Sequence, residues 1–294
     1  MINFNEQIVD DFRSYMLLEQ GRSDHTVDGY VRDVLQFERF ILFKDFREVD
    51  SKDIPLFIRY LSKDEGLQHR TTNRKLSALK TFYKWLRKEK YIEVNPTEGM
   101  QGAKAKQGLP QPVDLEDIDL LFAAIPEDDL RAKVMIEILY GTGARRFEVA
   151  KIKIRDFNFN KKTIRLLGKG NKERIVPIND FALTLVKKLM NQLGKDAIYL
   201  FPSRQYPNRC ISTRRINEIV TFYVNKAGLE GKNITPHKFR HSFGTHLHEG
   251  GVDLKYIQAM MGHEKADTTN IYTKVSSKQT STVYQNAHPR ALRS

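Results

Sequence analysis

Forty residues, from Thr235 to Lys274, gather side chains suited to work on a phosphodiester. His237 and Arg240 stand three apart, His263 follows Gly262, and Tyr272 lies nine residues beyond His263. A guanidinium can neutralise non-bridging oxygens, imidazoles can donate or accept protons, and a phenol can attack phosphorus. The same stretch carries the signals for elements that would present them. Thr235 and Pro236 suit an N-cap and a first helical turn. The three-residue spacing puts His237 and Arg240 on one helical face, and Phe243 with Leu247 supplies an apolar side. Gly250-Gly251 should end this helix. A second short helix, Asp253 to Met261, should stop at Gly262, and a third, polar segment carries Tyr272.

The bulk composition sets bounds on the partner. A chain of 294 residues is comfortable as two domains. No apolar run is long enough to cross a membrane, and the N-terminus lacks a secretory leader pattern. The single cysteine, Cys210, rules out an internal disulfide and a cysteine-rich zinc cluster. These features point to a cytoplasmic location with no membrane partner. Charge is distributed unevenly. Residues 1–100 balance 17 basic against 17 acidic side chains, so the whole net charge of +13 resides in residues 101–294. Within the first hundred residues, the excess of cations is confined to residues 67–100, with 8 basic and 3 acidic. That placement fits a footprint on nucleic acid better than uniform solubilising charge.

Stepping along the chain, residues 1–98 read as a helical bundle. Apolar positions recur at helical spacing in four segments: Ile8 to Leu18, Val27 to Ile41 within a helix over Ser23–Phe43, Ile54 to Leu61, and Leu76 to Leu86. Gly21 and Gly66 break them. The fourth helix opens with His69 and then Arg70, Thr71, Thr72, Asn73, Arg74 and Lys75. Small hydroxyls and an amide among cations suit contact with phosphates and base edges, so these six residues are the DNA-binding candidates here. Residues 99–112 are rich in Gly, Pro, Lys and Gln, without apolar periodicity, and read as a basic interdomain linker.

Residues 113–275 form the second expected domain. Its helices are broken by Gly141-Thr142-Gly143, after which Arg145 and Glu148 share a face. On local grounds that pair reads equally as a structural ion pair. Segments 162–167 and 174–178 are rich in β-formers around Gly168-Lys169-Gly170-Asn171-Lys172, the signal of a hairpin with Lys169 at its tip. Locally, a lysine there is simply solvated. Lys172 and Arg174 read as phosphate contacts or solvated charge. Residues 276–294 form a tail with Val283 and Tyr284 as its main apolar pair.

Taken together, His237-x-x-Arg240, Gly262-His263 and Tyr272, with Arg145, Glu148 and Lys169 upstream in order, resemble the tyrosine site-specific recombinases, and His288-Pro289-Arg290-Ala291 resembles the terminal motif of their Xer-type subgroup. The resemblance spans almost the whole chain. It implies a mainly α fold with a small β-sheet: an N-terminal SAM-like core-binding domain followed by a tyrosine-recombinase catalytic domain. It also implies a tail that docks into a neighbouring subunit. Ala144 and Arg146-Phe147 depart from the family pattern on either side of Arg145, which leaves target preference and local packing open.

The resemblance further implies a division of labour. Tyr272 attacks and forms a 3′-phosphotyrosyl link, Arg145 and Arg240 hold the non-bridging oxygens, and Lys169 protonates the leaving 5′-hydroxyl. His237 and His263 donate hydrogen bonds, with His237 a candidate general base, and Glu148 supports a neighbour. Neither metal, cofactor nor ATP is called for. The partners implied are double-stranded DNA recombination sites, with four subunits on two sites exchanging strands through a Holliday junction. Those subunits are identical or shared with a paralogous recombinase, and a septal DNA translocase is a further possible partner. Chromosome dimer resolution is the leading role, with mobile-element integration as the alternative. A type IB topoisomerase, a non-catalytic DNA-binding module and an architectural protein are the rival readings.

Overall fold

The computed structural model describes residues 4–103, 111–168, 172–262 and 277–292. Among these the chain is mainly helical with one small sheet, as its periodicity predicts. It divides into two compact units, residues 1–108 and 109–294, each with its own apolar core. No helix among the described residues is long and apolar enough to cross a membrane.

The first unit is a bundle of α1 (Phe4–Ser14), α2 (Asp24–Phe40), α3 (Asp53–Lys63) and α4 (His69–Lys88), with a π-helical turn over Tyr15–Glu19. The stripes read from the sequence converge, burying Phe12, Val34, Phe37, Phe57, Leu61, Leu79 and Leu86. Phe82 lies at the centre, edge-on to Phe12 and Phe46 with ring centroids 5.1 and 4.9 Å away. The second helix stops three residues before Phe43. Leu42 and Phe43 adopt φ of +54° and +60°, and Phe43 N–H donates to Glu38 O, so a left-handed turn closes the helix. The first part of the expected linker lies along α4. Lys80 Nζ donates to Met100 O, and Asn73 Nδ2 donates to Ala103 O at 2.8 Å.

The second unit contains α5 (Leu115–Ala123), α6 (Leu130–Gly141) and α7 (Arg146–Lys151), then strands β1 (Phe157–Asn158), β2 (Thr163–Leu167) and β3 (Glu173–Pro177). All three strands are antiparallel in the order β1-β2-β3, with Ile164 opposite Val176 and Leu167 opposite Glu173. The hairpin is therefore present, and its tip with Lys169 lies outside the described residues. Strand β1, two residues long, is too short to leave an alternation signal. Then follow α8 (Asp180–Leu193), α9 (Thr213–Lys226), α10 (Pro236–Glu249), α11 (Leu254–Met261), α12 (Ser277–Ala287) and α13 (Pro289–Leu292). Helix α6 is buried along its whole length and packs against both α8 and α10. Its lack of amphipathicity follows from that central position. Ser242 of α10 pins the start of this unit, accepting from Val113 N–H at 2.8 Å while donating to Lys238 O at 2.9 Å.

The tail, which the resemblance assigns to a neighbouring subunit, is seated on its own chain here. Tyr284 is fully buried and donates from its hydroxyl to Gly141 O at 2.8 Å. Arg290 forms a bidentate pair with Glu137, itself fully buried, with Nη2 2.6 Å from Oε2, and its guanidinium lies 4.2 Å from the Phe122 ring centre. His288 is also fully buried, stacked on Tyr284 at 5.0 Å. Its Nδ1 accepts from Arg290 N–H at 3.2 Å, and Tyr140 and Phe243 close over it from α6 and α10.

Burial, with the positive charges of His246 and Arg290 nearby, pushes the His288 imidazole down from 6.5 to about 3. A base whose folded value lies below its unfolded value binds more protons when unfolded. Its contribution is therefore present above about pH 6.5 and lost progressively as pH falls towards 3. Between pH 7.5 and 5.5 this one residue should remove on the order of 1 kcal/mol of stability, and His246, lowered in the same direction by burial, should add to it. Urea denaturation followed by circular dichroism will measure the loss, because the sole tryptophan, Trp85, lies in the other unit. In His288→Phe the slope should flatten, and an unchanged slope would show that His288 is not its source.

Candidate active site

Gly143 begins the site. It has φ of +59°, and a Cβ there would lie 2.5 Å from the Phe243 ring, so both backbone and contact require glycine. The close approach turns the chain out of α6 and presents Gly143 O to α10. Two residues later Arg145 caps α7. Glu148, in the first turn of that helix, folds back to accept from Arg145 N–H at 2.7 Å and from Arg145 Nη1 at 3.1 Å. The local spacing thus yields the ion pair that it predicts.

Helix α10 starts as its sequence dictates. Thr235 Oγ1 accepts from Lys238 N–H at 3.2 Å, and Pro236 occupies the first turn. His237 is exposed, whereas Arg240 is only 4% exposed. Arg240 donates through Nη1 to Gly143 O at 2.7 Å and through Nη2 to Met261 O at 2.5 Å. Among the described residues its hydrogen-bond partners are these two backbone carbonyls, and no carboxylate bonds it directly.

The C-terminal end of α11 joins these pieces. Helix ends present carbonyls without intrahelical partners and carry partial negative charge. Three successive carbonyls there each face a different guanidinium. Met260 O accepts from Arg174 Nε at 2.8 Å, Met261 O from Arg240, and Gly262 O from Arg145 Nη2 at 3.4 Å. Gly262 closes the helix with φ of +62°, and His263 is the next residue in the chain.

Glu148 is 2% exposed and serves two arginines. Arg174 grips it with both terminal nitrogens, Nη2 at 2.8 Å from Oε2, while Arg145 bonds it as above. Burial pushes the Glu148 carboxyl up, but the hydrogen bonds and charge of Arg174 and Arg145 outweigh it and hold the group below its ordinary value. Burial, followed by repulsion from Arg145 and Arg174, lowers Arg240 to about 10. Among the described residues, three guanidiniums surround one carboxylate and leave a net positive cradle. Such a cradle can bind the non-bridging oxygens of a phosphodiester and stabilise charge that builds on them.

Of the residues proposed from sequence, Arg145, Glu148 and Arg240 come together in this cluster, and His237 stands one turn from Arg240. Lys169, His263 and Tyr272 lie outside the described residues. Lys172 is exposed. Arg174 needs correction as a DNA contact: its side chain is 12% exposed and its nitrogens are committed to Glu148 and Met260. Spacing gave no hint of this, because Glu148 and Arg174 lie 26 residues apart on separate elements. In the first unit, Thr72 is likewise corrected. It is 1% exposed and its hydroxyl donates to His69 O, so it faces the bundle and not a duplex. Lys75 is drawn inward to Asp33 at 2.8 Å, Arg74 also pairs with Asp33, and Asn73 holds Ala103 O. Arg70 is exposed and Thr71 half-buried. Among the described residues no group of three His, Cys, Asp or Glu side chains is arranged to hold a metal ion.

The two units agree with what comparison with known proteins finds. The model of the phage integrase family matches residues 112–279, and that of the phage integrase N-terminal SAM-like domain matches residues 9–90. The chain belongs to the phage integrase family, the tyrosine recombinases, enzymes that cleave and rejoin DNA. It is 35% identical to the tyrosine recombinase XerC of Natranaerobius thermophilus, over 96% of this chain and 98% of that protein. It is 32% identical to the tyrosine recombinase XerD of Staphylococcus epidermidis, over 97% and 99%. In fold it is similar to a lambda integrase dimer bound to a COC′ core site, with a TM-score of 0.73, 16% identity, and coverage of 92% of this chain and 99% of that one.

Proposed function

We propose that the protein is a Xer-like site-specific recombinase whose nucleophile is Tyr272. The observation that carries the reading is the pairing of Arg145 and Arg240 at the end of α11, immediately before His263. Two guanidiniums directed at one place suit the two non-bridging oxygens of a scissile phosphate better than lysines would, because a planar fork matches that geometry. Attack by the Tyr272 oxygen breaks the bond from phosphorus to the 5′-oxygen and forms a 3′-phosphotyrosyl link. His237 takes the phenolic proton, and Lys169 gives one to the departing 5′-hydroxyl. His263 donates a hydrogen bond to the phosphate. The covalent link conserves the phosphodiester, so rejoining to a partner strand's 5′-hydroxyl needs no nucleotide hydrolysis.

In this reading the substrate is a pair of double-stranded recombination sites, held by four subunits and exchanged through a Holliday junction. Solved relatives include a lambda integrase tetramer bound to a Holliday junction, which supports that assembly by analogy of fold. Arg70, Thr71, Asn73 and Arg74, exposed or half-buried at the start of α4, are the DNA contacts retained for the first domain, and Lys172 for the second. Similarity to XerC and XerD along nearly the whole chain favours resolution of chromosome dimers, in the cytoplasm and with a septal translocase as the activating partner.

The test is a nicked suicide substrate carrying candidate sites, incubated without metal or ATP. Denaturing gels and tryptic mass spectrometry should find DNA attached to the peptide that contains Tyr272. A DNA that is bound specifically yet never attached would mean either that a partner recombinase is missing or that the chain only binds DNA. Recombination by the purified chain alone would separate a homotetramer from a shared one.

A further inference from the structure

We infer that Arg174 is a positioning residue for the cleavage site, locking Arg145, Arg240 and the segment entering His263 into one arrangement. The inference rests on the recombinase reading above and deepens it. Arg174 stands on β3, one residue into the return strand of the hairpin whose tip carries Lys169. Its three side-chain nitrogens bond two different parts of the site. Nη1 and Nη2 grip Glu148, which is the same carboxylate that orients Arg145. Nε holds Met260 O, the carbonyl next to the one that Arg240 holds. The stem is packed as well. A Cβ on Gly262 would lie 3.0 Å from Arg174 Cδ, so the last turn of α11 rests on this side chain.

The consequence is a shared anchor. Arg145 is itself substantially exposed, with 45% of its side chain accessible, so its placement depends on Glu148. Glu148 Oε1 accepts from both arginines, and Arg174, with 12% of its side chain exposed, is the more enclosed of the two. Without Arg174, a buried carboxylate would be left with Arg145 alone and would draw that guanidinium inward, away from a phosphate. Met260 O would also lose its partner, releasing the turn that leads to His263. Arg174 touches neither substrate nor reacting atoms in this scheme. It acts through the groups that do.

Single-turnover cleavage of the suicide substrate by Arg174→Gln tests the inference. Displacement of oriented groups by about an ångström costs on the order of 10²-fold, so cleavage should fall by roughly 10- to 100-fold. DNA affinity should stay within about twofold and its salt dependence should not change, whereas loss of a direct phosphate contact would lower the salt slope by about 1. Arg174→Gln/Glu148→Gln leaves no unpaired buried carboxylate, so it guards against a variant that fails to fold, and it should show the same cleavage defect. A second substrate, with one non-bridging oxygen of the scissile phosphate replaced by a methyl group, separates positioning from general damage. That neutral centre depends less on the arginines, so the defect of Arg174→Gln should shrink there. Equal slowing on both substrates, wild-type cleavage, or a reduced salt slope would each overturn the inference. Absence of a Tyr272 adduct with the unaltered protein, alone and with a partner recombinase, would overturn the recombinase reading and this inference together, and is seen before any variant is made.

Discussion

Tyr272→Phe should abolish covalent attachment to DNA and lower strand cleavage by at least ~10⁴-fold, since loss of a nucleophile removes the reaction path and not one contribution to it. Affinity for the same DNA should stay within about twofold, because binding rests on many phosphate contacts. Phenylalanine retains the ring and deletes only the oxygen that becomes bonded to phosphorus. Gel-shift titration and single-turnover cleavage, run on the same preparation, measure the two quantities. Cleavage that persists with an adduct on another residue would move the nucleophile; cleavage that persists without any adduct would replace the mechanism by hydrolysis.

The second large effect is expected at Arg240. Removing one preorganised donor from developing oxyanion charge typically costs 10²- to 10³-fold, and a guanidinium supplies charge as well, so Arg240→Ala should lose roughly 10³-fold or more. The substitution also strips Gly143 O and Met261 O of the donor they share, at about 1–3 kcal/mol for a buried group left unsatisfied. Relief of repulsion from Arg145 and Arg174 offsets part of that. Arg240→Lys isolates the geometric share. An ammonium retains the charge but has no fork to span two carbonyls and a phosphate together, so its activity should remain far below wild type. Rates close to wild type in Arg240→Lys would mean that charge alone is what the site uses.

Much of this architecture can be read directly from the chain, and the parts that cannot share a physical cause. Four helical stripes, the hairpin and the capped helix carrying His237 are local patterns, so Phe57 with Leu61 or Thr235 with Pro236 announces its own place. The Arg145–Glu148 pair is legible for the same reason. Arg174 is different: nothing within reach of its own strand distinguishes a buried guanidinium from a solvated one, and its partners come from α7 and α11. Thr72 and Lys75 mislead in the opposite direction. Their composition suits a DNA-facing helix, but Asp33 on α2 turns the lysine inward and the hydroxyl satisfies its own backbone. The tail shows the same limit. Only a fully buried acceptor such as Glu137, distant in sequence, explains why Arg290 docks where it does. Lys169, His263 and Tyr272 fall outside the described residues, so their assignment rests on motif order.

The bonding of Arg240 to backbone carbonyls among the described residues has a thermodynamic corollary. A folded state that gathers Arg145, Arg174 and Arg240 around Glu148 carries an internal repulsion that the unfolded chain does not. Any anion that settles among them relieves it, and so acts as a stabiliser of the fold by mass action. A ligand at a hundred times its dissociation constant adds about 2.7 kcal/mol, so inorganic phosphate or vanadate should raise the melting temperature of the second unit in a saturable way. Arg240→Ala should respond only as far as general salt effects allow, and an equal rise in both proteins would show that the anion acts elsewhere. The protein without DNA would then be the less stable partner of its own complex, and the substrate would contribute to holding together the site that cuts it.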